Sequence, residues 1–183
     1  MSKGREIRCF DYVNHPYEQV RDALVADAPT VFQAATKAAA SRAQSVASEL
    51  RVNIGGIGVA TDINISVQKI EEKMSELAGI PITRLQIEWE AANLPSLFPF
   101  MKAELDIYSL TSAETQLDFF GVYEAPLGPV GQALNAMLGH SIAEAAVHRF
   151  VSDVARYLRQ ALASRTVSGA AGPRMVFSFR ESS

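Results

Sequence analysis

An α+β fold is what this sequence predicts: a curved antiparallel sheet wrapped around one long C-terminal helix, with two shorter helices after the first strand. Three observations lead there. From Pro129 to Ala163 apolar residues recur at helical spacing, with polar residues between them. Between Leu50 and Glu124 the period changes to two, and the alternating segments are joined by short turns, which favours antiparallel pairing. The Ala-rich stretch between Pro16 and Val46 separates the first alternating segment from the others, so helices and strands are segregated along the chain.

Glu6 to Val13 reads as the first strand, rich in Ile, Cys, Phe, Tyr and Val. Asn14-His15-Pro16 breaks it, and Asn14 is a candidate cap for a helix running to about Ala26 with Val20 and Leu24 as its buried pair. A second helix follows Pro29 and runs to about Val46, its many alanines giving strong helix propensity. Leu50, Val52 and Ile54 alternate as a strand, and Gly55-Gly56-Ile57-Gly58 marks a tight turn. Those glycines lack the full spacing of a dinucleotide-binding loop, and a strand follows them, so turn geometry explains them. Ile63, Ile65 and Val67 form the next strand, and Glu71 to Gly79 reads as a polar connection.

Arg84 to Ala91 has the cleanest alternation, with Leu85, Ile87 and Trp89 on one face and charged or amide residues on the other. Asn93 to Pro99 is an apolar loop with two prolines, and Met101, Ala103, Leu105 and Ile107 then alternate with polar residues. Thr111 to Glu114 turns the chain into a last strand from Thr115 to Glu124. That strand carries a large apolar residue on each face at Phe119-Phe120, and the alternation leaves open which one points inward.

Pro129 suits the first turn of the long helix, whose length would reach roughly 50 Å at 1.5 Å per residue. Its apolar face rotates along the way: Leu134, Met137 and Leu138 share one side, while Phe150, Val154 and Leu158 lie on another, with Gly139 near the change. The first half sets these among small residues, which leave room for close sheet packing or for a cavity. Asp153 and Arg156 read as part of the polar side. The domain is expected to span residues 1–164, with 165–183 a flexible tail.

A chain of 183 residues, 48% of them hydrophobic, suits one domain with a real core. The net charge of −3 and the scattered basic residues offer no field for nucleic acid or anionic lipid. Cys9 is the only cysteine, so no internal disulfide and no zinc-type cysteine spacing exist. With no apolar leader and no apolar run of bilayer length, the expectation is a cytoplasmic protein without stable membrane insertion.

Three stretches, together with the element order, resemble the START/SRPBCC superfamily with its helix-grip fold, which includes the polyketide cyclase/dehydrase and lipid-transport family. They are Asn14-His15-Pro16-Tyr17-Glu18-Gln19-Val20, Leu97-Phe98-Pro99-Phe100-Met101-Lys102-Ala103-Glu104-Leu105 and Tyr123-Glu124-Ala125-Pro126-Leu127-Gly128-Pro129. The resemblance covers roughly residues 5–163, a span set by the outermost of these elements. It implies an apolar cavity between sheet and helix that takes a lipid, sterol, polyketide or similar molecule. Some members are cyclases, hydrolases or oxygenase subunits. The Rieske-type Cys/His ligands of the oxygenases are absent here, and no catalytic motif of the family is matched.

On that resemblance the sheet side of the cavity would be lined by Ile87, Trp89, Met101, Phe119 and Tyr123. The helix side would be lined by Leu134, Met137 and Leu138. Aromatic and Met residues at strand spacing also serve as plain core. His140 lies near the face that should look into the sheet, where an imidazole could orient a ligand or act as an acid or base; it is the candidate catalytic residue if the protein is an enzyme. A satisfied rim histidine is the structural alternative. His140, Glu144 and His148 recur every four residues, a spacing that can hold a metal but here lacks a third-ligand context, so a polar helix face is the expectation and no metal or cofactor is assigned. The sequence therefore points to a hydrophobic-ligand binder, with an aromatase/cyclase- or hydrolase-like enzyme and a purely structural assembly protein as alternatives.

Overall fold

The computed structural model describes residues 4–49, 63–91, 100–123 and 136–169. In chain order its elements are β1 (Arg5–Val13), α1 (Tyr17–Glu49), β2 (Ile63–Met74), β3 (Pro81–Ala91), β4 (Met101–Thr111), β5 (Glu114–Tyr123) and α2 (Ala136–Gly169). The five strands form one antiparallel sheet in the order β1-β5-β4-β3-β2. Both helices lie against one face of it, the helix-grip arrangement that the resemblance implies. The expected strand around Leu50–Ile54, the turn at Gly55–Gly58, the loop Asn93–Pro99 and the approach to the long helix lie outside the described residues.

Alternation decides which face is dry. Leu85, Ile87 and Trp89 of β3, Met101, Ala103, Leu105 and Ile107 of β4, and Leu117, Phe119 and Tyr123 of β5 all turn inward and are buried. Phe119 is the inward member of its pair, and Phe120 faces the outer side under the Arg8 guanidinium, 5.2 Å above its ring. The outer face is wet across β2 to β4, where Arg84 donates two hydrogen bonds of 2.7 Å to Asp106 and also pairs with Glu104.

β2 is longer than the sequence predicts. Glu71 to Met74, read as connection, continue the strand and pair with Arg84 to Pro81 of β3. A register shift between Val67 and Lys69 reverses the alternation, so the apolar residue after it is Ile70, an even position, and the period-two signal breaks. β3 likewise starts earlier, at Pro81, a first-residue position where a missing N–H costs the ladder nothing.

The two helices expected after β1 run end to end as α1, broken by Asp27 (φ −150°, ψ 44°). Pro29 is the cause: it has no N–H for the preceding turn, and it disfavours helical backbone just before it. At the start of α1 the carbonyl of Pro16 accepts the N–H groups of Gln19 and Val20, so Pro16 and not Asn14 occupies the capping position. Val20 and Leu24 are fully buried, as expected.

α2 is unbroken through Gly139 and continues to Gly169, beyond the expected end near Ala163. Its inward stripe is Val147, Phe150, Val151, Val154, Leu158 and Leu162. Asp153 corrects the expectation of a wet side: it is 5% exposed and held between Arg149 and Arg156. Arg149 Nε stands 2.8 Å from Asp153 Oδ2 but is misaligned for a hydrogen bond, so the attraction is chiefly between charges and that oxygen keeps an unfilled acceptor site. Among the described residues no helix is long and apolar enough to cross a membrane.

Candidate functional site

Cross-strand register turns the sheet into rows of neighbours. At the end of the sheet near residue 5, one row reads Arg5, Tyr123, Met101, Trp89 and Ile65, from β1 to β2. Four of these were separated in the sequence by loops, and the register sets them side by side on the inner face. The next row inward is Ile7, Gly121, Ala103, Ile87 and Val67. Its two small residues are adjacent, and a Cβ on Gly121 would lie 2.7 Å from Met101 Sδ and 2.9 Å from Phe119 Cε1. Met101 and Phe119 thus lean into the space that the glycine leaves.

Beneath these rows sits Phe150 of α2, fully buried. It meets Phe32 of α1, Trp89 and Phe119 edge-on, at ring centroid distances of 5.4, 5.3 and 6.3 Å. Edge-to-face packing of this kind suits the ring quadrupoles and closes the interior at this depth. Of the expected lining residues, Ile87, Trp89 and Phe119 are therefore held in the packed interior, with Met101 and Tyr123 at its margin. Leu134 lies outside the described residues, and for Met137 and Leu138 only the helical backbone is described.

α2 brings His140 to this same end. Its ring lies almost parallel to that of Tyr123, tilted by 16° with centroids 5.9 Å apart. His140 Nδ1 is enclosed and has no hydrogen-bond partner among the described residues. Burial pushes the pKa of the Tyr123 hydroxyl above its ordinary value, and the charge of Arg5 and a hydrogen bond with it partly offset this. Cys9, on the inner face of β1, is also buried; its thiol is pushed up to about 12, by burial first and then by the negative charges of Asp118, Asp11 and Glu144. It is a protonated, inert filler at neutral pH.

The helical His140–Glu144–His148 spacing does not gather three ligands. His140 turns to Tyr123, while Glu144 and His148 are exposed. Among the described residues no group of three His, Cys, Asp or Glu is placed to hold a metal. Sequence reasoning missed Arg5 and Gly121, whose roles come from the register.

No protein-family model and no curated protein matches the chain. Solved structures similar to it include the protein TTHA0849 from Thermus thermophilus, at 11% identity over 86% of this chain and 99% of that one, with a TM-score of 0.48. The Zhui aromatase/cyclase from Streptomyces sp. R1128 is similar at 13% identity over 92% and 99% of the two chains, with a TM-score of 0.46. Ara h 8.0201 is similar at 6% identity over 85% and 98%, with a TM-score of 0.42.

Proposed function

We propose that this chain binds a small hydrophobic molecule, of the lipid, sterol or polyketide kind, between the sheet and α2 at the end marked by Tyr123, Met101 and His140. The reading is carried by one observation: His140 Nδ1 is enclosed without a partner among the described residues. A buried polar atom left unpaired costs about 1–3 kcal/mol, and a ligand hydroxyl or carbonyl would recover much of it. Met101 supports the reading, because a flexible thioether beside Gly121 can swing away from the space it fills. Trp89 and Phe119, braced by Phe150, would form a rigid apolar floor. Leu134, Met137 and Leu138 would complete the helix side. The proposal includes a cytoplasmic location and needs neither cofactor nor metal.

An enzyme of the same fold would use His140 as acid or base. That chemistry asks for a carboxylate or hydroxyl hydrogen-bonded to the imidazole. The near-parallel stack with Tyr123 favours binding over proton transfer.

Native mass spectrometry of the protein purified from its own host, followed by organic extraction, tests this. The expected result is a co-purified apolar molecule with a hydrogen-bonding group, whose re-addition raises the melting temperature. His140→Phe is expected to weaken its binding by roughly fivefold, about 1 kcal/mol. A clean protein whose melting temperature no panel of lipids, sterols and polyketides moves would overturn the reading in favour of a filled interior used for assembly.

A further inference from the structure

Among the described residues β1 has one strand neighbour, β5, and its other edge faces outward. Tyr12 shows which backbone groups point that way. Its N–H is bound by Asp11 Oδ1 at 2.7 Å, and its carbonyl accepts from Arg159 Nε at 2.8 Å, so neither group serves β5. Strand alternation gives the same outward direction to the backbone of Phe10, Arg8 and Glu6. Unlike Tyr12, these have no side chain of the described residues over their N–H and C=O groups. α2 packs along β1 from the inner face, and its Arg159 side chain covers the edge at Tyr12. Half of the edge, from Gly4 to Phe10, is therefore open and half is plugged.

An open strand edge is a template for another strand. We propose that its occupant is β1 of a second copy, paired antiparallel about a two-fold axis at Ile7, so that the two sheets become one. The side chains select that register. Outward-facing backbone pairs only with outward-facing backbone, so even-numbered residues must oppose even-numbered ones. A two-fold at Arg8 would set Arg8 against its own copy, and one at Glu6 would do the same with Glu6. A two-fold at Cys9 would bring Glu6 against the plugged Tyr12. The two-fold at Ile7 alone sets Glu6 opposite the second copy's arginine at position 8, twice, and keeps Tyr12 beyond the pairing.

The same register sets Phe10 opposite Gly4. Phe10 is 59% exposed on the outer face beside Tyr12, with ring centroids 5.6 Å apart. Val122 leans over Gly4 so closely that a Cβ there would lie 2.6 Å from Val122 Cγ1. The ring of Phe10 would cover that glycine and meet the valine, burying apolar surface on both sides of the axis. Opposite charges and an aromatic over a glycine are both favourable cross-strand pairs.

Analytical ultracentrifugation of the full chain at roughly 100 µM, with amide hydrogen exchange, decides the matter. The expected result is a dimer in which Arg8 and Phe10 amides exchange more slowly as concentration rises. Glu6→Arg and Arg8→Glu each turn two attractions into repulsions, and each should raise the dissociation constant about tenfold or more. The double swap, Glu6→Arg with Arg8→Glu, should restore the dimer, which separates pairing from any loss of the Arg8 contact on Phe120. A monomer at this concentration would overturn the proposal, as would a dimer that Arg8→Glu leaves intact. Slow exchange at Arg8 and Phe10 that ignores concentration and vanishes on removal of residues 170–183 would assign the edge to the chain's own C-terminal segment instead.

Discussion

Gly121→Ala tests whether the space at the inner face is as full as the distances say. The added Cβ would sit 2.7 Å from Met101 Sδ, 2.9 Å from Phe119 Cε1 and 3.3 Å from Met101 Cγ. Two of these are under 3.0 Å, which real Cβ atoms essentially never show, and the third is still tighter than ordinary van der Waals contact. Met101 can yield by rotating its chain, but Phe119 is fully buried and braced against Phe150, so its ring moves only if Phe150 moves. Overpacking of this sort costs about 1–3 kcal/mol. Alanine regains about 0.5–1 kcal/mol over glycine in a strand, because less backbone freedom is lost on folding. The midpoints of the two ranges leave a destabilisation of about 1 kcal/mol, or a melting temperature lower by about 2–4 °C for a chain of this size. Urea denaturation should show the midpoint fall with the slope unchanged. Adding Met101→Ala removes the sulfur contact, and the two substitutions should then be less than additive. A Gly121→Ala protein as stable as the parent would refute the reasoning, because Met101 and Phe119 would then have been shown to retract without cost.

Two further outcomes follow from buried groups away from that space. Tyr17→Phe removes the buried 2.7 Å hydrogen bond between the Tyr17 hydroxyl and Thr83 Oγ1 and leaves the threonine unpaired. A loss of about 1–2 kcal/mol in chemical denaturation is expected, and Tyr17→Phe with Thr83→Val should cost less than the sum of the two. The Cys9 thiol is raised from 9.0 to about 12, so its contribution to stability is full below pH 9 and is lost as pH climbs from 9 towards 12. The denaturation midpoint should fall over that window, and Cys9→Ala should flatten the fall; an unchanged slope would remove Cys9 from the account.

What could be read from the chain was whatever depends on local period. β3 and β4 were legible because each has one dry face and one wet face, so Leu85, Ile87 and Trp89 declared themselves, whereas β5 could be read as a strand but not for which of Phe119 and Phe120 points inward. The break between the halves of α1 was legible from Pro29. The second half of β2 was not, because the irregularity at Val67–Lys69 shifts its alternation and its residues are wet on both faces. Asp153 misled for a related reason. An aspartate with arginines four before and three after has the pattern of a solvated helix face, and its burial is a tertiary fact that no local period records. The Tyr123–His140 stack joins residues seventeen apart in number through the path of the intervening chain. The row from Arg5 to Ile65 depends on four registers at once.

The buried polar contacts also divide the molecule by role. Where α1 begins, the hydroxyl of Tyr17 reaches Thr83, Thr115 Oγ1 donates to the carbonyl of His15 at 2.8 Å, and Arg159 ties α2 to β1. Each of these groups has a partner, and each bond joins elements far apart in the chain, so this end holds the two layers together. At the opposite end the inner face thins to Gly121 and Ala103, a pliable Met101 fills the gap, and His140 keeps an enclosed nitrogen without a partner. Unsatisfied polarity weakens a fold unless something else satisfies it. The pairs around Tyr17 thus serve cohesion, while the open nitrogen of His140, stacked on Tyr123, is where the proposed ligand would be recognised. Tyr17→Phe should therefore lower the melting temperature without altering binding of the proposed ligand, and His140→Phe should weaken that binding with little change in melting temperature.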